Sequence, residues 1–215
     1  MNGRGRGGYF LLLGVAIMFG ALSVTTAVRY GLGDIASKKA RHQIIDWQTT
    51  PARVPSLGEL ATAQAGLLRG LSWVPGDPLL LEMLGYGYSL RAAIAWRGTV
   101  FEDTMQEAAL EQYRRSLARR PMSPYTWSST AWTLHRLNRE PQAMWQAMDR
   151  AIRYGIREGG VQLTLARILL ARWDEAGPER QESLRHIYRE SRGRAARQLK
   201  QLASEAGRDD LLPPR

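Results

Sequence analysis

The side chains best suited to chemistry are scattered in this 215-residue chain. His42, His135 and His186 stand alone, with no His or carboxylate at metal-ligand spacing. There are no cysteines, so disulfides and thiolate metal sites are excluded. Glu102 and Asp103 are adjacent acids, but in a stretch expected to form a loop they read as loop polarity rather than an acid–base pair. Gly85-Tyr-Gly87 and Gly31-Leu-Gly33 lack the strand and third glycine of a dinucleotide site. No Gly-x-Ser-x-Gly, phosphate loop or zinc pattern occurs. The expectation is a protein without catalytic residues, cofactor or metal.

What remains is the chemistry of packing and binding. The chain is rich in Ala, Leu, Arg, Gln and Glu and has seven Trp, a composition that favours helices over sheet. Its formal charge of +10 suits an anionic neighbour, whether phospholipid head groups, an acidic polymer, nucleic acid or an acidic protein face. Solubility alone accounts for such a charge equally simply.

The elements that carry these side chains begin with an uncharged run of 20 residues, Tyr9 to Val28. At ~1.5 Å per residue it matches the ~30 Å hydrocarbon core of a bilayer. Cleaved signals have shorter apolar regions of about 7–15 residues and a small-x-small site, which Thr25-Thr26-Ala27 matches poorly. An uncleaved anchor is therefore expected. Arg4 and Arg6 before the run face Arg29, Lys38, Lys39 and Arg41 after it, a count that places the following domain in the cytoplasm by the positive-inside rule. Long domains translocate largely regardless of such counts.

Gly31, Gly33 and Asp34 are expected to break the apolar pattern, with a short helix from Ile35 to Trp47. Thr49-Thr50-Pro51 and Pro55-Ser56 form a linker, and Ser56 with Glu59 has the spacing of a capping box. Three segments then align. Ala63, Leu67 and Pro75 lead to Leu84-Gly85-x-x-Tyr88; Ala109, Tyr113 and Pro121 lead to Trp127, Ala131 and Leu134; Ala143, Ala147 and Gly155 lead to Leu165-Ala166. The interval from Ala131 to Ala166 is close to a repeat of about 34 residues.

These positions resemble the tetratricopeptide repeat over about half the chain. The pattern departs from the family between Tyr88 and Ala109, where about a dozen extra residues centre on Trp96-Arg97-Gly98-Thr99, and at Gly155, where Pro is usual. The expected fold is all-α: a transmembrane helix followed by a degenerate array of antiparallel helix pairs. The expected segments are a basic flank 1–8, an anchor 9–28, a juxtamembrane helix and linker 29–55, a repeat domain 56–175, and a basic capping helix and tail 176–215.

Such an array leaves one face for partners. On it the reading places Glu82, Tyr86, Tyr125, Ser128, Trp132, His135, Arg136 and Arg167, since aromatic and Arg side chains dominate binding hot spots. Trp and Tyr at helical spacing also serve as core. In the tail, Leu184, Ile187 and Tyr188 form an apolar stripe, and Arg185, Arg189, Arg192, Arg194, Arg197 and Lys200 a basic helix. Asp209 and Asp210 lie in an end expected to fray.

The layout as a whole resembles the VpsP-like, membrane-anchored accessory proteins of bacterial exopolysaccharide biosynthesis. The resemblance rests on Trp47 before a Pro-containing linker, and on Pro75-Gly-Asp-Pro78-Leu-Leu-Leu-Glu82-x-Leu-Gly85-x-x-Tyr88 followed by Arg91-Ala92. It extends through Pro121-x-Ser123-Pro124-Tyr125-x-Trp127, Ala147-x-x-Arg150-Ala151, and Val161-Gln162 leading to Trp173. It implies a single-pass inner-membrane protein with a periplasmic helical domain, against the charge count. The implied partners are protein components of a polymerase or export complex, the membrane through residues 9–28, and an acidic glycan or anionic lipid. A general membrane-tethered adaptor or chaperone-like protein is the alternative. Nucleic acid is not expected, because no reader motif accompanies the cations.

Overall fold

The computed structural model describes residues 4–50 and 53–211, with side chains from residue 10 onward. Among the described residues the chain is helical, without strands. It divides into two compact units, Met1–Leu80 and Leu81–Arg215.

The first unit is built on α1 (Arg4–Thr49) and α2 (Leu57–Trp73). The expected break at Gly31–Asp34 does not occur: α1 runs unbroken for 46 residues. The glycine has a packing role instead. A Cβ on Gly33 would lie 3.1 Å from Val74 Cγ2 and 3.3 Å from the Gly70 carbonyl, so the helices meet backbone to backbone. Further along, Gly70 faces Ser37 and Gly66 faces Ala40, each glycine having room for no Cβ without displacing its neighbour. The partners pair in opposite chain order, so α2 runs back along α1. Below this stripe Ile44, Trp47, Leu60, Ala63 and Leu67 are buried.

The return is fixed by local chemistry. Ser56 and Glu59 form the capping box read from the sequence. Arg53 bridges Asp46 (2.7 Å) on α1 and Glu59 (2.9 Å) on α2. At the far end Asp77 accepts from the Leu79 and Leu80 amides and starts the next helix.

The second unit takes in α3 (Pro78–Ile94) from Leu81 on, α4 (Val100–Arg119), α5 (Pro124–Leu137), α6 (Pro141–Gly155), α7 (Gly159–Ala171), α8 (Gly177–Glu190) and α9 (Gly193–Glu205). Proline sits at the first or second position of α5, α6 and α8, where its missing N–H costs nothing. The expected insertion after Tyr88 is not a long loop. Its residues extend α3 and α4, leaving only 95–99 between them, and Glu102 and Asp103 fall in the first turn of α4. The expected basic helix from Arg185 to Lys200 is likewise two helices. Ser191 and Arg192 leave helical geometry, and Gly193, with φ of 60°, is the first residue of α9. Of the end expected to fray, Asp209–Leu211 folds into a 3-10 turn that buries Leu211, and 212–215 lie outside the described residues.

One core joins α5 to α9. Ala131, Leu134, Met144, Ala147, Met148, Ala151, Leu165, Ala166, Ile168, Leu169, Leu184, Ile187 and Leu199 pack together, including Ala131, Ala147 and Ala166 of the small residues singled out by spacing. Gly85 admits the ring of Tyr113, and a Cβ there would come within 2.6 Å of it. Tyr113 is fully buried, with its hydroxyl 3.3 Å from Ser89 Oγ. Gly155, at the position where the repeat pattern has Pro, lies so close to Pro124 that no side chain fits.

A methyl added at Gly85 must displace Tyr113, whereas one added at Gly58 meets nothing. Gly85→Ala is expected to destabilise the protein by about 1–3 kcal/mol in chemical denaturation. Gly58→Ala is expected to stay within about 0.5 kcal/mol of the parent. Equal effects at the two positions would show that the Gly85–Tyr113 contact does not constrain the fold.

Candidate partner-binding surface

The residues placed on a binding face fall into two groups. Tyr125, Trp132 and Arg167 present surface, on α5 and α7. The Tyr125 ring lies 3.3 Å from where a Cβ on Gly160 would stand, and Gly159 similarly abuts Ala195 at 3.4 Å. The starts of α5, α7 and α9 are therefore neighbours, and the three helices line up side by side. Residues a turn apart from Tyr125 on α5 lead to Trp132, and from Gly160 on α7 to Thr164 and Arg167. Tyr125 is anchored at its tip: its hydroxyl donates to Glu158 Oε2 at 2.7 Å. That bond, with partial burial, raises its pKa to about 12. Trp132 is half-buried beside His135, the ring centroids 5.5 Å apart. Arg167 is exposed and enters no ion pair among the described residues. On α9, Arg194, Arg197 and Lys200 are also exposed.

The other predicted residues are tied into the protein's own framework. Glu82 accepts from Arg120 Nη2 (2.6 Å), Ser123 Oγ (3.3 Å) and the Thr126 hydroxyl, fastening α3 to the turn between α4 and α5. Ser128 is buried and donates to the Tyr125 carbonyl. Tyr86 is half-buried, and burial raises its pKa. His135 Nδ1 accepts from Arg172 Nε at 3.0 Å, which fixes a neutral imidazole. Burial and the charges of Arg172 and Arg136 lower its pKa accordingly.

Arg136 pairs with Glu102, a carboxylate only 5% exposed. The same carboxylate accepts from the Gly98 amide at 2.8 Å, closing the turn between α3 and α4. Burial pushes the Glu102 pKa up. Arg136, the Gly98 amide and the charge of Arg97 together outweigh it, holding the carboxyl below its ordinary range. Asp103 pairs with Arg139 at 3.2 Å.

The turn so closed carries a patch that sequence reasoning did not assign. Trp96 is 87% exposed and Val100 84%, with Ile94, Phe101 and Arg97 exposed beside them. The signal was present in the sequence as a Trp and a Val flanking a Gly-Thr break. A cleft of about 450 Å³ lies by the starts of α7 and α9, lined among others by Arg157, Gln162, His186, Glu190 and Arg192. Gln162 there donates to the Ile156 carbonyl (2.8 Å) and accepts from Ser191 Oγ (3.1 Å). Among the described residues no group of three His, Cys, Asp or Glu is placed to hold a metal.

No family model, curated protein or solved structure matches the chain. What the geometry brings together on α5 and α7 is Tyr125, held by its bond to Glu158, with Trp132 and Arg167.

The Glu102 carboxyl has a lower pKa folded than in an unfolded chain, where it is ~4.3. Its pairing therefore stabilises the fold above that value, and the stabilisation drains away as pH falls through the folded pKa. Glu102→Gln is expected to cost about 1–3 kcal/mol at neutral pH. The difference from the parent is expected to shrink as pH falls below ~4.3. Melting curves across pH check this; a gap that is constant with pH would contradict it.

Proposed function

We propose that this protein is a non-catalytic scaffold, anchored in the bacterial inner membrane by residues 9–28, that holds components of an exopolysaccharide biosynthesis or export machinery on a TPR-like array. The observation that carries the anchored part is the form of α1. It is long and apolar enough to cross a membrane, with mean hydropathy 2.2 in its apolar window and none of that window buried. An isolated apolar helix of this length needs lipid around it, and it continues without a hinge into the pair with α2.

The scaffold part is supported by the second unit. Its helices are joined by short turns, α5, α7 and α9 lie side by side, and Tyr125, Trp132 and Arg167 stand on α5 and α7. A fixed aromatic and Arg surface suits a protein segment, and the exposed cations of α9 suit an acidic glycan or lipid. The polysaccharide link and the periplasmic placement rest on the sequence resemblance. The general membrane-tethered adaptor shares every geometric feature and differs only in its partners.

Cross-linking in mild-detergent membranes, purification and mass spectrometry test the reading. The expected co-purifying proteins are a glycosyltransferase, a polymerase or an export-channel component. Tyr125→Ala combined with Arg167→Glu is expected to lose them several-fold while leaving the melting temperature nearly unchanged. Recovery of unrelated exported or cytoplasmic proteins alone would replace the polysaccharide scaffold with the general adaptor.

A further inference from the structure

The uncharged run ends at Val28, and the next residue, Arg29, donates from Nε to the carbonyl of Trp73 at 3.1 Å. Four residues on, Gly33 lies against Val74 and the Cβ of Trp73. The C-terminus of α2 and the turn after it are thus level with residues 29–33 of α1. Measured along the helix axis, that is within about 8 Å of Val28 at ~1.5 Å per residue. The headgroup layer of a bilayer is of similar depth, about 5–8 Å on each side of the hydrocarbon core.

The side chains at this level are of the interfacial kind. Trp73 is 42% exposed and Tyr30 57% exposed, and Leu32 and Leu79 are exposed near them in sequence. Trp and Tyr favour the membrane–water boundary because their rings are apolar while their N–H and O–H need polar partners. Arg29 adds a cation for lipid phosphates. The first acid beyond the run, Asp34, is neutralised by Arg41, which lies farther from the run along α1. At the opposite end of the pair, Thr49 and Ser56 lie roughly 30 Å beyond Val28, and the level there is marked by ion pairs of Arg53 rather than exposed aromatics.

We infer that the turn joining α2 to α3, led by Trp73, lies in the lipid headgroup layer beside Arg29 and Tyr30, as a second contact of the chain with the membrane. A single spanning helix rotates about its own axis and tilts; a second contact to one side of that axis restrains both motions. The first unit is then held upright and in one rotational setting. The occupant of this surface is lipid. The inference rests on the membrane tether proposed above.

The chain has no cysteine, so each introduced one is a unique labelling site. Environment-sensitive fluorophores are placed in the full chain at Trp73→Cys and, in the same turn, Gly76→Cys. Ile17→Cys in the apolar run and Ala61→Cys on the distal part of α2 serve as references. Each protein is reconstituted in phosphatidylcholine–phosphatidylglycerol nanodiscs, with and without lipids brominated high on the acyl chain. Helicity is checked by circular dichroism. The expected result is blue-shifted emission and several-fold stronger bromolipid quenching at Trp73→Cys and Gly76→Cys than at Ala61→Cys.

If Ile17→Cys is quenched while both turn labels behave like Ala61→Cys, the tether stands and the inference falls. If Ile17→Cys is also unquenched, both fall. Blue-shifted turn labels that ignore bromolipid and revert at one chain per disc would assign the surface to a second copy, and would overturn the lipid contact.

Discussion

Helix axes normally pass at about 8–10 Å, and the near end of that range is reached only where the residues between them are small. This protein meets that condition between α1 and α2, and elsewhere a single glycine admits a larger neighbour. Gly33, Ser37 and Ala40 meet Gly66 and Gly70 between α1 and α2; Gly85 receives Tyr113; Gly155 lies against Pro124. The cost is helix propensity, about 1 kcal/mol for each helical glycine relative to alanine. It is offset by dispersion contact and by full burial of the large side chains that flank each crossing, such as Ile44, Leu60, Leu67 and Tyr113. A glycine in an apolar helix reads in the sequence as a break. In α1 it is a point of close approach to α2.

The positive charge is distributed by the same packing. Several Arg side chains are engaged within the fold, on aromatic faces and, for Arg136, on the buried carboxylate of Glu102. Arg150 stacks on Trp127 (4.4 Å), Arg180 on Trp145 (4.8 Å), and Arg208 on Trp173 (4.0 Å). Trp127 also donates its indole N–H to the Pro121 carbonyl at 2.7 Å. Each such stack contributes about 0.5–1 kcal/mol where exposed. Arg208 on Trp173 fastens the chain end that composition alone marks as loose. Arg167, Arg194, Arg197 and Lys200 are the cations that remain turned outward on α7 and α9.

The sequence was most legible where one residue's chemistry decides the outcome. The capping box at Ser56 and Glu59, the buried stripe Leu184, Ile187 and Tyr188, and the alanines Ala109, Ala131, Ala147 and Ala166 stand as their spacing suggests. It was least legible where the outcome depends on a partner distant in sequence. The continuity of α1 at Gly33 is set by α2, and Gly155 by Pro124. The same holds at the candidate surface. Glu82, Arg136 and His135 have the residue types of a binding face, but Arg120, Glu102 and Arg172 occupy them. A side chain's type announces its capacity to bind; whether a neighbour in the fold has already used that capacity is not written locally.

The continuity of α1 also bears on how an anchored scaffold would act. A flexible break, such as one at the expected position Gly31–Asp34, lets a domain explore a volume, and partners are then gathered only by raised local concentration. A helix passing through the boundary without a hinge removes that freedom. The roughly 30 Å of α1 beyond Val28 is stiffened along its length by α2, and Arg53 closes the far end with bonds to both helices. Under the proposed anchoring, an unbroken helix pair of this kind would give the first unit one height and one direction. Two proteins held at one height above a membrane need to search only laterally for each other. The small residues at the crossing of α1 and α2 would then be more than a device for stability: they would make the proposed tether a strut.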